Sequence, residues 1–175
     1  MAGAAVSPAV QVAVQDALGN TVTNSLASIA VAIDNNAGGG TLSGTTPVSA
    51  VGGVATFSNL SIDKTGVGYT LIATSGLLAP APSAAFNINP GAATALVLSL
   101  VPTTMQASVA AGFQLTARDG FGNVATGYTG TVSFTSSDPL ATLPVPTGFT
   151  STNAGTRSFS LTLATLGTQS FTATD

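Results

Sequence analysis

The 175-residue chain contains no cysteine, histidine, tryptophan or glutamate. Its charged side chains are three cations, Lys64, Arg118 and Arg157, and six aspartates. Each absence removes a class of chemistry. Without Cys there is no thiol nucleophile and no disulfide, and without His there is no imidazole base. Without both there is no zinc cage and no haem ligand. Three scattered cations do not make the clustered Lys and Arg that grip a phosphate backbone, so no nucleic-acid partner is expected. A formal charge of −3 is too weak to imply another partner. Mean hydropathy is +0.50, yet no apolar run approaches the ~18 residues of a spanning helix, so membrane insertion is not expected. The opening MAGAAVSPAV lacks the charged and long apolar regions of a signal peptide.

Small residues take the place of the missing ones. Ala, Thr, Gly and Ser make up 94 of the 175 positions, and 45% of the chain is hydrophobic. That is enough apolar material for packed cores, so disorder is not expected. The surface must then be Ser, Thr, Asn, Gln and Gly, as suits an exported, protease-resistant module.

Apolar residues recur with period 2 nearly throughout, and no stretch reads as a long amphipathic helix. The alternating sets are Val10/Val12/Val14, Ile29/Val31/Ile33, Tyr69/Leu71/Ala73 and Phe86/Ile88. In the second half they are Leu96/Leu98/Leu100, Phe113/Leu115/Ala117, Val132/Phe134, Phe159/Leu161/Leu163 and Phe171/Ala173. Gly, Pro, Asn and Asp bound each run, where the chain must reverse. Short strands at regular spacing predict an all-β fold of antiparallel sandwiches.

The chain also repeats itself. VAVQDALGNTVTN from Val12 matches LTARDGFGNVATG from Leu115, and TGVGYTLIATS from Thr65 matches TLGTQSFTATD from Thr165. Two tandem immunoglobulin-like β-sandwich domains are therefore predicted, over residues 1–90 and 91–175, joined at Asn89-Pro90-Gly91-Ala92. The second opens with ALVLSLV, where the first has only MAGAAV. The first closes with SAAFNIN, and the second has no counterpart. Edge strands are thus expected to be incomplete at both chain ends. One explanation is excision from a longer array. The other is that neighbouring copies supply the strands head to tail.

The pieces V-x-V-x-D-x-x-G-N, GGVATF (Gly52–Phe57), KTGVGYTLIAT (Lys64–Thr74) and GFGNVATGYTGTVSFTSSDP resemble the bacterial immunoglobulin-like repeats of invasin- and intimin-type surface proteins. The resemblance covers nearly the whole chain. It implies a β-sandwich, export to the cell surface, and service as a stalk or adhesive array. Gln169 departs from it, standing where the first module has Tyr69.

The strongest local pattern is Asp-x-x-Gly-Asn, at Asp16, Gly19 and Asn20 and again at Asp119, Gly122 and Asn123. Oxygen ligands would suit calcium, but one carboxylate per copy points instead to a turn in which Asp and Asn cap backbone N–H groups. Asp34-Asn35-Asn36 and Asp63 read as similar loop chemistry. Tyr69, opening a strand after Gly66 and Gly68, is a candidate tyrosine corner. Lys64 precedes a Thr-Gly turn, where solvent exposure is expected in place of an isopeptide bond. Ser137-Asp138 has no base nearby in sequence and forms no triad, and Asp138 before Pro139 reads as a turn residue. Gly38-Gly39-Gly40 precedes no helix and is not a phosphate loop. No cofactor and no enzyme activity are expected. The leading function is a structural spacer, stalk or fibre-forming segment of a bacterial extracellular protein, partnered by neighbouring repeats or other copies of itself. The alternative is an adhesin-type binding module recognising a host protein or glycan, with Phe121, Phe149 and Tyr128 exposed together in a loop cluster.

Overall fold

Alternating apolar side chains give each short segment one face to bury and one to leave in water. In the computed structural model, which describes residues 1–175, every regular element except one 3-10 turn (Ser151–Asn153) is a strand. The chain is all-β and divides into two compact units, Met1–Asn89 and Pro90–Asp175.

The first unit holds β1 (Val10–Ala13), β2 (Ser28–Ile33), β3 (Leu42–Ser43), β4 (Val48–Ser49), β5 (Val54–Phe57), β6 (Ser61–Ile62), β7 (Gly66–Tyr69), β8 (Leu71–Thr74), β9 (Ala81–Pro82) and β10 (Phe86–Ile88). They form small antiparallel sheets, β4-β2-β8-β9, β1-β5, β7-β10 and β3-β6. Ile29, Val31, Phe57, Ile62, Tyr69 and Leu71 meet in its core. The sequence predicts one strand through Tyr69, Leu71 and Ala73, but the structure interrupts it at Thr70. The Thr70 N–H donates to the Asn35 carbonyl at 3.2 Å and its hydroxyl to Asp34 Oδ2 at 3.0 Å. The Thr70 carbonyl also accepts the Asp34 N–H at 2.9 Å, so two residues, Asp34 and Asn35, face the one Thr70 and the regular ladder is broken there.

Residues 1–6 do not stand where an opening strand would. They continue the line of β1: Ala5 bridges to Ser61, and Val6 N–H donates to the Leu60 carbonyl at 2.7 Å.

The second unit holds β11 (Ala95–Ser99), β12 (Ala110–Arg118), β13 (Thr131–Ser136), β14 (Thr147–Gly148), β15 (Thr156–Thr162) and β16 (Phe171–Thr174), in the sheets β11-β12-β15 and β14-β13-β16. Rings join the two sheets. Phe113 of β12 lies 5.5 Å from Phe134 of β13 and 5.0 Å from Phe171 of β16, and Phe134 lies 5.0 Å from Phe159 of β15. Offset and edge-to-face contacts of this kind add to the burial of the rings themselves. β11 stops at Ser99, short of the predicted Leu100. Leu100 turns to φ 56° and is 75% exposed, so it leaves both the ladder and the core before Pro102.

Leu115 is fully buried among these rings. Leu115→Ala is expected to cost about 2–5 kcal/mol, the range for deleting a core Leu. Leu77→Ala, at a fully exposed loop position, should stay within about 0.5 kcal/mol. Urea unfolding followed by far-ultraviolet circular dichroism separates the two.

Candidate functional site: repeated turns and an open sheet edge

The two Asp-x-x-Gly-Asn segments fold into the same turn. Asp16 Oδ1 accepts the N–H of Leu18 and of Asn20, each at 2.9 Å. Asp119 Oδ1 accepts the N–H of Phe121 and of Asn123, each at 2.9 Å. In both, the Asn amide reaches back to the carboxylate, and the Gly N–H (Gly19 or Gly122) donates to the Asp carbonyl at 3.0 Å. Gly19 and Gly122 sit at φ 83° and 78°, in the left-handed region that Gly enters without strain. Arg118 secures the second turn by donating to the Gly122 carbonyl at 2.6 Å.

The copies differ in burial. Asp16 is exposed, whereas Asp119 is 4% exposed and also accepts the Gly91 N–H at 2.9 Å. Burial pushes the Asp119 carboxyl up. The bonds from Gly91, from the Asn123 side chain and backbone, and from Phe121 outweigh it and bring the pKa to about 2. Hydrogen bonds from Asn20 and Leu18 lower that of Asp16.

A third carboxylate, Asp138, does more than its reading as a turn residue implies. It is 3% exposed and ties two distant loops together. Oδ1 accepts from Leu140 N–H (2.9 Å) and the Thr165 hydroxyl (2.7 Å), and Oδ2 from the N–H of Ala164 (2.7 Å) and Thr165 (3.0 Å). The Thr165 backbone and hydroxyl, donating to the charged form, hold its pKa well below the carboxylate range. The turn reading covers only the Leu140 bond, two residues on. The Ser137 hydroxyl donates to Gln169 Oε1 at 2.6 Å, so it serves the same loop closure.

The Tyr69 hydroxyl donates to the Lys64 carbonyl at 3.1 Å, and its ring, fully buried, stacks on Phe86 at 6.2 Å. Three glycines make room for it. A Cβ at Gly38 would overlap the Thr65 carbonyl oxygen, at Gly40 it would crowd Ile62 and the Tyr69 hydroxyl, and at Gly66 the Tyr69 ring. The glycine run thus packs against an aromatic, a role that sequence spacing did not reveal. Lys64, whose carbonyl accepts this hydroxyl, is half-buried, contrary to the expected exposure. The loops around it are cross-tied. Asn36 exchanges two bonds with the Gly40 backbone, Asn35 Nδ2 donates to the Gly68 carbonyl at 2.7 Å, and Asp63 accepts the Thr41 N–H at 2.7 Å.

The aromatic loop cluster is not formed. Phe149 is 4% exposed and packs against the half-buried Tyr128 at 5.0 Å; of the three rings only Phe121, at 47%, is well exposed. Tyr128 is drawn inward by the core rings, since Phe149 also meets Phe159. The Tyr128 hydroxyl is buried without a hydrogen-bond partner. Burial, then the nearby Asp175 carboxylate, raises its pKa to about 12. No three carboxylates gather as a metal-binding group, and no helix is long and apolar enough to cross a membrane.

The repeat exposes one further contrast. β12 is laddered on both edges, to β15 and β11, while its counterpart β1 is laddered only to β5. β8 is paired on both sides, by β2 and β9, while its counterpart β16 is laddered only to β13. Beside the open edge of β1 runs a cleft of mixed polar and apolar lining, with adjoining lobes of about 260 and 270 Å3. Val12, Ala13 and Gln15 form one wall, and Ala73, Leu78 and Ala81 the other.

The chain matches no protein-family model and no curated protein sequence. Among solved structures it is similar to surface layer protein SbsC, domains 4–9, with 17% identity and a TM-score of 0.36; the likeness covers 93% of this chain and 22% of that one. The chain thus spans about a fifth of the length of that structure.

Asp119 holds its proton less tightly when folded (about 2) than the ordinary value of 3.8, so unfolding takes up a proton as pH falls. Its stabilisation is complete above roughly pH 5 and is lost as pH drops through 3.8 towards 2. Denaturant midpoints measured from pH 7 to pH 2 should decline only in the acid range, and Asp119→Asn should be less stable at pH 7 and show a shallower decline. Tyr69→Phe should cost about 1 kcal/mol, the worth of one hydrogen bond. Gly38→Ala should cost more, because backbone must move; thermal melts rank them.

Proposed function

We propose that the chain is a structural segment (spacer, stalk or fibre-forming) of a bacterial extracellular or cell-surface protein. Its two units are immunoglobulin-like β-sandwich repeats, without a catalytic role, that work beside neighbouring repeats or other copies of the same protein. The observation that carries this reading is the duplicated turn: carboxylate, Gly and Asn are arranged twice, 103 positions apart, with the four Asp-to-backbone bonds all at 2.9 Å. A binding or catalytic centre is needed once. A turn copied together with its strands serves the folding of a unit that is itself copied. The carboxylates are consumed by N–H donors in holding those turns, which leaves little oxygen for a ligand. Ser, Thr and Asn surfaces limit nonspecific ionic attraction and its dependence on salt.

The adhesin-type reading is supported by a single ring, Phe121, presented on the second turn at 47% exposure. One exposed ring without a cluster of aromatic and Arg anchors falls short of a strong interface.

Pulling on single full-length molecules by their ends tests the structural reading. Two separate unfolding events are expected, each releasing roughly 300 Å of chain at about 3.4 Å per residue. One merged event, or saturable binding to a glycan or host matrix protein abolished by Phe121→Ala, would favour the alternative.

A further inference from the structure

We propose that the Asp138–Pro139 peptide bond is a latent self-cleavage site, held shut by the loop that carries Ala164 and Thr165. When that loop lets go, the Asp138 carboxyl cuts its own peptide bond to Pro139. The proposal goes beyond the structural reading above and needs no partner but water.

One place in the chain is set apart by its sequence. Six Asp residues are present, and only Asp138 is followed by Pro. An Asp carboxyl can reach the carbonyl carbon of its own residue by closing a succinic-anhydride ring. What usually prevents this is the leaving group, because an amide nitrogen is a poor base. The prolyl nitrogen carries a further alkyl group in place of its hydrogen, so it accepts a proton more readily and departs more easily. The reaction balances with water alone. The protonated Asp138 carboxyl attacks the carbon and forms a C–O bond, and its proton passes to the Pro139 nitrogen as the C–N bond breaks. Water then opens the anhydride. The products are residues 1–138, ending in an Asp with both carboxyls free, and residues 139–175, beginning with the Pro139 amine.

The fold withholds what this reaction needs. Oδ1 is taken by the Leu140 N–H and the Thr165 hydroxyl, and Oδ2 by the N–H groups of Ala164 and Thr165. None of these donors is titratable. Together they occupy the acceptor sites of an ionised carboxylate and keep it ionised far into acid, with no proton to pass on. Three of the bonds run to a loop 26 and 27 residues away, so swinging an oxygen onto the backbone carbon would break them. Asp138 is also buried, which keeps water off the anhydride. The carbonyl itself is ready: it accepts the Ala141 N–H at 3.2 Å, a bond that stabilises the charge developing on that oxygen under attack. Only the freedom of the carboxyl is missing. Thr165–Thr168 are exposed and belong to no strand, and such loops open locally ahead of the core.

The first unit closes its corresponding loop without a severable bond. Asp34-Asn35-Asn36 follows β2 as Asp138 follows β13, and it is tied to Thr70 and Gly68 with no proline in it. Loop closure alone therefore does not call for the Asp–Pro pair.

The test incubates the full chain at pH 4, where an unclamped Asp carboxyl is about half protonated. Mass spectrometry follows the chain with time, folded and in urea, and circular dichroism reports the fold. In urea one cut is expected, between Asp138 and Pro139, and none after the other Asp residues. The folded chain should be cut at least about tenfold more slowly, because the loop must open first. Asp138→Asn and Pro139→Ala, both compared in urea where folding plays no part, should each slow the cut by at least about tenfold through a higher barrier. Thr165→Val removes the hydroxyl donor and should speed the cut in the folded chain about threefold or more, the share of one hydrogen bond in the opening equilibrium. Thr165→Ser, which keeps the donor, should restore the slow rate. The proposal is overturned if no cut appears in urea, if the folded chain is cut as fast as the unfolded one, if the cut survives Asp138→Asn, or if a folded Thr165→Val is cut no faster than the unaltered chain. Should Thr165→Val not fold, the folded and unfolded arms and the two urea variants decide alone.

Discussion

Strands of two to nine residues carry too little surface to persist alone. Each is stable only where its backbone is laddered to a neighbour and one face lies against the core. With no disulfide available to this chain, pairing and burial have to be satisfied together. The second unit does so most fully: β12 is paired on both edges, and its Phe113, Leu115 and Ala117 are buried. Pairing on one edge is compatible with burial in β5, whose Ala55 and Phe57 are buried. β1, paired on one edge only, leaves Val10 and Val12 half-exposed. A strand's burial thus depends on what packs over its face as well as on what pairs with its edge.

The same dependence explains why the chain uses aspartate and no glutamate. An Asp carboxylate is short enough to accept N–H groups two and four residues along its own chain, so it closes a turn that ends one strand and aims the next. Asp16 and Asp119 do this locally. Asp138 does it both locally and across 26 residues, to Ala164. These carboxylates act as collectors of backbone donors, which lowers their pKa values and makes them structural in a chain with very few ion-pairing side chains. Arg118 and Arg157 serve the complementary purpose, donating to the loop carbonyls of Gly122 and Gly148.

Much of this was legible in the residues. Period-2 runs located most of the longer strands, and the Asp-x-x-Gly-Asn spacing pointed to turns, because both are local: a strand's alternation and an Asp-to-backbone bond two to four residues away depend on nothing else in the chain. Most of the departures are non-local. Thr70 breaks a strand because Asp34 and Asn35 hold it. Tyr69 docks on the Lys64 carbonyl in space left by Gly38, Gly40 and Gly66. Phe149 turns inward because Phe159 and Tyr128 receive it. Leu100 leaves its alternating run by adopting a positive φ.

Sequence alone determined that the chain is all-β, that its segments are repeated, and that thiol, imidazole and zinc chemistry are out of reach, since these follow from residue types and their spacing. Only the tertiary structure decided which edges are closed. Whether β1 or β12 has a second ladder, and whether Val12 or Leu115 is covered, depends on which strand lies beside it. Neighbouring strands come from parts of the chain whose pairing no local pattern encodes, because backbone N–H and C=O groups are the same in every residue but proline.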